Sequence, residues 1–287
     1  MAQLVARTAG GREVASSSLV TPTIEETLNY GLWGCVMQDK SLLFTYQSLG
    51  VLSVDAAQRI VEIANQAIAE RGVFRIALAG GSTPRGLYEV LGGEPYANKT
   101  DWSLWKVYFS DERMVPLTDE RSNYAMAKST LFNDSRFKEG NIYMPPVHLS
   151  SPAEVALAYE TMIRRSFTVN TNATPSFDLV LLGLGSDGHT ASLFPGKPAV
   201  EAVSRLVVES HSGILPPPVD RITFTVPFIN AARHIIFLAS GEDKQAAFKS
   251  AYTGVALKDV QPVPAYLIRP VSGTLEWFVT QDLIEEE

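Results

Sequence analysis

Residues 177–196, FDLVLLGLGSDGHTASLFPG, constrain this chain more than any other stretch. The segment opens as an uninterrupted apolar run, Leu179-Val180-Leu181-Leu182, the pattern of a strand buried on both faces. It then breaks into Gly183, Gly185 and Gly188, where a backbone without Cβ can turn sharply and approach a ligand closely. His189 follows at once. A buried strand that delivers a glycine loop and a titratable imidazole to one point demands an α/β fold with a ligand crevice at the strand's carboxyl end.

The rest of the sequence supplies that fold. Phe74, Ile76 and Leu78 lie in a strand over 74–79, and Trp105, Val107 and Phe109 in another over 105–110. Further strands are predicted at 42–46, 206–208, 221–225, 234–239, 264–268 and 275–279. Between them, Ala57, Ile60, Val61, Ala64, Ala67 and Ile68 recur at helical spacing until Gly72 stops the helix. Thr83 is expected as an N-cap with Pro84 in the first helical turn, and Ser122 as the cap of a helix to Phe132. Ser151-Pro152-Ala153-Glu154 reads as a capping box opening a helix to about Arg165. Strands alternating with helices predict an open, mostly parallel Rossmann-like sheet with helices on both faces. Residues 41–287 are expected to form one catalytic domain. Residues 1–40 lack a sustained period and read as an extension. Arg7, Arg12 and the serines 16–18 faintly suggest a transit peptide, against which Glu13 and the short length weigh.

Composition narrows the partners. A net charge of −7 argues against nucleic acid or an anionic membrane surface, which call for a basic face. No apolar run approaches the length of a membrane span. The single cysteine, Cys35, excludes an internal disulfide and fits a reducing, cytoplasmic setting. The four histidines are scattered and no metal-ligand spacing is present, so neither a metal nor a cofactor is expected.

Four polar clusters fall just beyond strand ends. Gly80-Gly81-Ser82-Thr83-Pro84 presents backbone N–H groups and two hydroxyls at a helix N-terminus, either as a phosphate cradle or as a tight turn whose hydroxyls only cap the helix. Asp111-Glu112-Arg113 follows an apolar strand. There a carboxylate can orient sugar hydroxyls or a water while Arg113 takes an anion, and the alternative is an exposed ion-paired turn. Lys244 opens a helix, either as a point charge for an anion or as a solvated lysine. His189 is the candidate general base, since imidazole takes and returns a proton near neutrality. His148, His211 and His234 sit in a proline loop, beside a Ser-Gly pair and at the start of a strand, places that suit structural or solvated histidines. The spacing of Gly183, Gly185 and Gly188 also fits the dinucleotide fingerprint G-x-G-x-x-G. Pro195, Gly196 and Pro198, however, interrupt the helix that fingerprint requires.

These residues resemble the 6-phosphogluconolactonases of the pentose phosphate pathway. The likeness runs through Ala79 to Pro84, Ser110-Asp111-Glu112-Arg113 with Val115-Pro116, Ser122-Asn123-Tyr124, the long motif 182–196, Arg221-Ile222-Thr223 and Gly241-Glu242-Asp243-Lys244. It covers the chain from about Ser41 onward. The related glucosamine-6-phosphate deaminases share the fold, but their histidine is followed by a pattern like H-I-A-F-N-E-P, whereas here His189-Thr190-Ala191-Ser192-Leu193-Phe194-Pro195 stands. The resemblance implies a small phosphosugar lactone as substrate, hydrolysed by water that His189 activates. It implies that Gly80, Gly81, Ser82 and Thr83, with Arg221 and Lys244, hold the 6-phosphate. Asp111 and Arg113 would contact the sugar end or tune the histidine, and Gly185 would take part in binding the substrate. Arg221 enters through the resemblance alone, because it begins a predicted strand. A deaminase, or a sugar-phosphate sensor without turnover, is the alternative. A monomer or weak homodimer is expected.

Overall fold

The computed structural model describes residues 7–9, 12–14, 36–38, 41–132, 136–167, 173–211, 218–257 and 262–284. The expected extension over 1–40 therefore lies mostly outside the described residues. Its described parts are a hairpin of β1 (Arg7–Ala9) and β2 (Arg12–Val14), and β3 (Val36–Gln38).

The main sheet has seven strands in the order β3-β4-β12-β11-β8-β5-β6. Its members beyond β3 are β4 (Ser41–Tyr46), β5 (Phe74–Leu78), β6 (Trp105–Phe109), β8 (Leu179–Gly183), β11 (His234–Ala239) and β12 (Thr274–Thr280). β3 runs antiparallel to β4, and every other pairing is parallel. β8 lies between β11 and β5 in the middle of the sheet. Leu179 and Leu181 enter one core with Ile60, Leu87 and Trp105, while Val180 and Leu182 enter the other with Tyr108, Phe177 and Trp277. The apolar run in the sequence is thus the two-residue alternation of a strand that has no polar side. Each of these side chains contributes about 2 kcal/mol by leaving water.

The helices that cover the sheet form where the sequence places their signals. In α1 (Leu49–Arg71), Ser48 Oγ accepts the Val51 N–H. Gly72 closes the helix at φ 71°, donating to the Ile68 carbonyl. α2 (Ser82–Gly92) and α3 (Asn123–Thr130) flank the same face. α4 (Pro152–Phe167) packs on the other side, its N-terminus capped by Ser151 Oγ, which accepts the Glu154 N–H. The short α5 (Val226–Asn230) precedes β11, and α6 (Gln245–Thr253) follows it. Among the described residues, no helix is long and apolar enough to cross a membrane.

Two features differ from the sequence expectation. Residues 111–113 are not a loop but β7 (Asp111–Arg113), which joins β9 (Val207–His211) and β10 (Asp220–Phe224) in a separate antiparallel sheet, order β7-β10-β9. Ser110 makes the transition: its N–H bonds Leu78 in the main sheet, and its carbonyl accepts the Phe224 N–H of the small one. Second, 264–268 is a 3₁₀ turn (Pro264–Leu267) rather than a strand, because Pro264 has no N–H for a ladder. As Pro195, Gly196 and Pro198 lead one to expect, no α-helix follows β8 at its glycines; the next helical element is the short turn Pro198–Glu201. That topology rules out the dinucleotide-binding reading.

Candidate active site

The carboxyl ends of β5, β8 and β11 lie side by side in the register Ala77↔Val180 and Leu238↔Gly183. Their loops therefore meet. Gly81, at φ 104°, is the N-cap of α2, and no side chain caps that helix. Thr83 is not the cap expected from the sequence. It is buried inside the first turn, and its Oγ1 lies 3.2 Å from Ser240 Oγ at the end of β11. The first-turn N–H groups of Ser82 and Thr83 have no intrahelical acceptor and sit at the positive end of the helix. Ser82 is exposed. The open N-terminus, the glycine approach and the exposed hydroxyl together offer donors of the kind that suit an anion.

The bond between Thr83 and Ser240 brings the loop after β11 to this cradle. Gly241 turns at φ 105°, and Lys244, half-buried at the head of α6, donates its N–H to the Gly241 carbonyl. No ion pair to Lys244 occurs among the described residues.

The loop after β8 carries the imidazole. Gly185 donates its N–H to the His189 carbonyl, and Gly188 donates to the Gly185 carbonyl, closing a tight turn. His189 Nδ1 lies 2.5 Å from Asp187 Oδ1, which also accepts the His189 N–H at 3.1 Å. Burial works to raise the Asp187 carboxyl, but the His189 bond and charge outweigh it and hold it below the ordinary carboxylate range. The other side of the imidazole rests on Phe194, ring centroids 4.7 Å apart. Nδ1 is thus engaged, and Nε2 is the nitrogen left for chemistry. The site needs Gly185 for a steric reason: a Cβ there would sit 2.1 Å from Nδ1. From beneath, Ala265 in the 3₁₀ turn donates to the Gly188 carbonyl at 3.0 Å.

The small sheet supplies the third wall. Its register sets Arg221 opposite Arg113 and Thr223 opposite Asp111. Arg221 is 3% exposed, and its guanidinium lies 5.1 Å from the centre of the Phe194 ring. Burial lowers the Arg221 pKa and neighbouring Arg113 lowers it further, while Asp111 opposes both. Arg113 Nη1 donates to the Arg121 carbonyl. Two guanidiniums against one carboxylate leave this wall locally cationic although the whole chain is acidic. Asp111 is itself buried, accepting from Ser192 Oγ at 2.5 Å and from Asn123 Nδ2 at 3.0 Å. The carboxylate that bonds His189 is Asp187. Glu112 turns away from the crevice: it accepts the Arg113, Asn123 and Tyr124 N–H groups and the Ser122 hydroxyl, anchoring the start of α3. Burial pushes its carboxyl up despite those donors.

Gly80, Gly81, Ser82, Thr83, Gly185, His189 and Lys244 thus gather on loops along one edge, with Asp111, Arg113 and Arg221 on the small sheet beside them. His211 pairs with Asp220 on the exposed face, and His234 bonds Thr274 at the opposite, amino end of β11. The sequence reading passed over Asp187, Asn123, Ser192 and Phe194. Asp187 had a local signal, a carboxylate two residues before the histidine. Asn123 and Ser192 fall within the resembling motifs but had no local signal of their role, because the group they bond, Asp111, is remote in sequence.

An open parallel sheet with this cradle, cation and Asp–His pair on its carboxyl edge defines an α/β enzyme built around a small anionic substrate. The family model described as glucosamine-6-phosphate isomerases/6-phosphogluconolactonase matches residues 48–277, and the chain belongs to that family. Within it, similar curated proteins include 6-phosphogluconolactonases. A probable 6-phosphogluconolactonase 1 of Arabidopsis thaliana is 38% identical over 255 residues, covering 84% of this chain and 92% of that one. The 6-phosphogluconolactonase of Synechocystis is 40% identical over 216 residues, covering 75% and 85%. The 6-phosphogluconolactonase structure from Trypanosoma cruzi superposes with a TM-score of 0.76 at 32% identity, over 86% of this chain and 97% of that one.

Proposed function

We propose that this chain hydrolyses 6-phospho-D-glucono-1,5-lactone to 6-phosphogluconate, with His189 as the base that activates water. The observation that carries this reading is the Asp187–His189 pair, which fixes Nδ1 and leaves Nε2 free on the rim of a cationic crevice. The substrate phosphate docks on the first-turn N–H groups of α2 and on Lys244. Arg221 joins them on the phosphate, and Arg113 beside it serves the lactone end, where negative charge develops on the carbonyl oxygen as water adds. Nε2 takes a proton from the attacking water, and Asp187 stabilises the imidazolium. The tetrahedral intermediate collapses, the C1–ring-oxygen bond breaks, and the proton passes to the departing oxygen. General-base help of this kind is worth about 10²–10⁴-fold. Residues 41–287 act as one catalytic domain in this reading, and the lone Cys35 supports a reducing, cytoplasmic compartment.

The test is disappearance of freshly generated 6-phosphogluconolactone against its spontaneous hydrolysis. Wild type is expected to accelerate it and His189→Ala to fall to near background. Lys244→Ala is expected to raise KM for the phosphorylated lactone and leave plain gluconolactone unaffected. Ammonia release from glucosamine 6-phosphate without lactone hydrolysis would move the chain to the deaminase chemistry.

A further inference from the structure

We propose that Asn123 is a positioning residue that ties the phosphate cradle to the wall of the site where the lactone reacts. The inference rests on the lactonase reading and goes beyond it. Asn123 is 1% exposed, the first residue of α3, and held in place by its own N–H bond to Glu112 at 2.8 Å. Its Nδ2 donates twice to Asp111, to the main-chain carbonyl at 2.8 Å and to Oδ1 at 3.0 Å. Those two acceptors settle which end of the amide is nitrogen. The other end, Oδ1, is buried with no hydrogen-bond partner among the described residues and lies against Gly80, where a Cβ would come within 2.0 Å of it.

One small amide therefore touches both halves of the site. On one side it abuts the glycine that opens the cradle, so closely that only glycine fits. On the other it holds Asp111, whose second oxygen takes the Ser192 hydroxyl; Ser192 is also 3.5 Å from Arg221 Nη1. Ser192 lies in the loop that places Phe194 under His189. The contacts form a continuous series from the half-buried Gly80 through the buried Asn123, Asp111 and Ser192 to the His189 loop. Packed interiors deform little, so a phosphate that seats the Gly80 loop also presses Asn123 onto Asp111. In this arrangement part of the phosphate's binding energy appears as rate and not only as affinity.

The experiment compares wild type, Asn123→Ala and Asn123→Asp as full chains, each with 6-phosphogluconolactone and with plain glucono-1,5-lactone. In wild type the phosphorylated lactone is expected to have the higher kcat. Asn123→Ala is expected to lower kcat for the phosphorylated lactone by about tenfold, the scale of a lost bond to a buried charged group. Plain lactone leaves the cradle empty and feels only the loosened Asp111, so its kcat is expected to fall by less than that of the phosphorylated lactone. The ratio of the two kcat values is the readout, since general loosening lowers both together. Asn123→Asp keeps the shape and the N–H bond to Glu112 but sets a carboxylate against Asp111, so it is expected to shrink the ratio at least as much. If circular dichroism shows the alanine variant unfolded, the aspartate variant decides alone. Equal losses on both lactones, or an unchanged ratio, would overturn the proposal. An inactive wild type would instead overturn the lactonase reading.

Discussion

Gly185→Ala separates activity from stability within a single loop. A Cβ at residue 185 would lie 2.1 Å from His189 Nδ1, 2.2 Å from Cε1 and 2.8 Å from Asp187 Oδ1. Ordinary contact begins near 3.4 Å, so the imidazole must move by about 1.3 Å. It can move, because its side chain is 27% exposed, and the fold loses only about 1 kcal/mol, the low end of overpacking costs. That corresponds to a Tm drop of about 2–4 °C in a chain of this size. Activity has no such outlet. The displacement breaks the Nδ1 bond to Asp187 and carries Nε2 off the water, and a misplacement of about 1 Å costs on the order of 10²-fold. The loss should lie between about 10² and 10⁴, the most a general base supplies. Gly188→Ala should do the reverse. Residue 188 has φ 81°, and its Cβ would meet the buried Val263 at 2.6 Å. Left-handed strain and overpacking together cost about 2–5 kcal/mol. Lactone hydrolysis and thermal unfolding, run on both variants, decide the matter. A Gly185→Ala enzyme with normal Tm and activity within about threefold of wild type would refute the reasoning, because the imidazole would not then need its observed place.

Two further outcomes follow from the same geometry. Asp187→Asn keeps the loop's shape but removes the charge that holds Nδ1 and stabilises the imidazolium; kcat should fall about 10²-fold with KM nearly unchanged, and a fall in affinity alone would count against it. His234 has its pKa lowered from 6.5, first by burial and then by Arg59. A depressed folded value means the neutral form is favoured, so its stability contribution is present above pH 6.5 and lost as pH falls through the lower folded value. Tm should therefore decline less steeply from pH 7 toward 5 in His234→Gln than in wild type, and parallel curves would rule His234 out as the source.

Much of this arrangement is legible locally. The run 179–182 reads as a buried strand because four consecutive apolar residues leave no polar face, and Gly72 and Ser122 act within one helical turn. The same holds for the histidine loop, whose glycines, carboxylate and base lie within five residues. In the small sheet β9 and β10 are legible, but β7 and its separate pairing are not, for the opposite reason. β7 has only three residues, two of them carboxylates, and it is a strand only because β10 pairs with it from more than a hundred positions away. The 264–268 segment misled through its apolar composition, although Pro264 had already removed a ladder donor.

The chain order of residues was therefore enough to determine a parallel sheet and to set the glycine turns and His189 at its carboxyl edge, since each depends on periodicity, caps or a turn a few residues long. Which groups face one another was decided only by tertiary structure. The pairing of Arg221 with Arg113, the capture of Asp111 by Asn123 and Ser192, and the placing of Phe194 under both His189 and Arg221 all join side chains from different sheets and loops. Such contacts form when burial of the two cores brings distant segments together, and no local pattern encodes them.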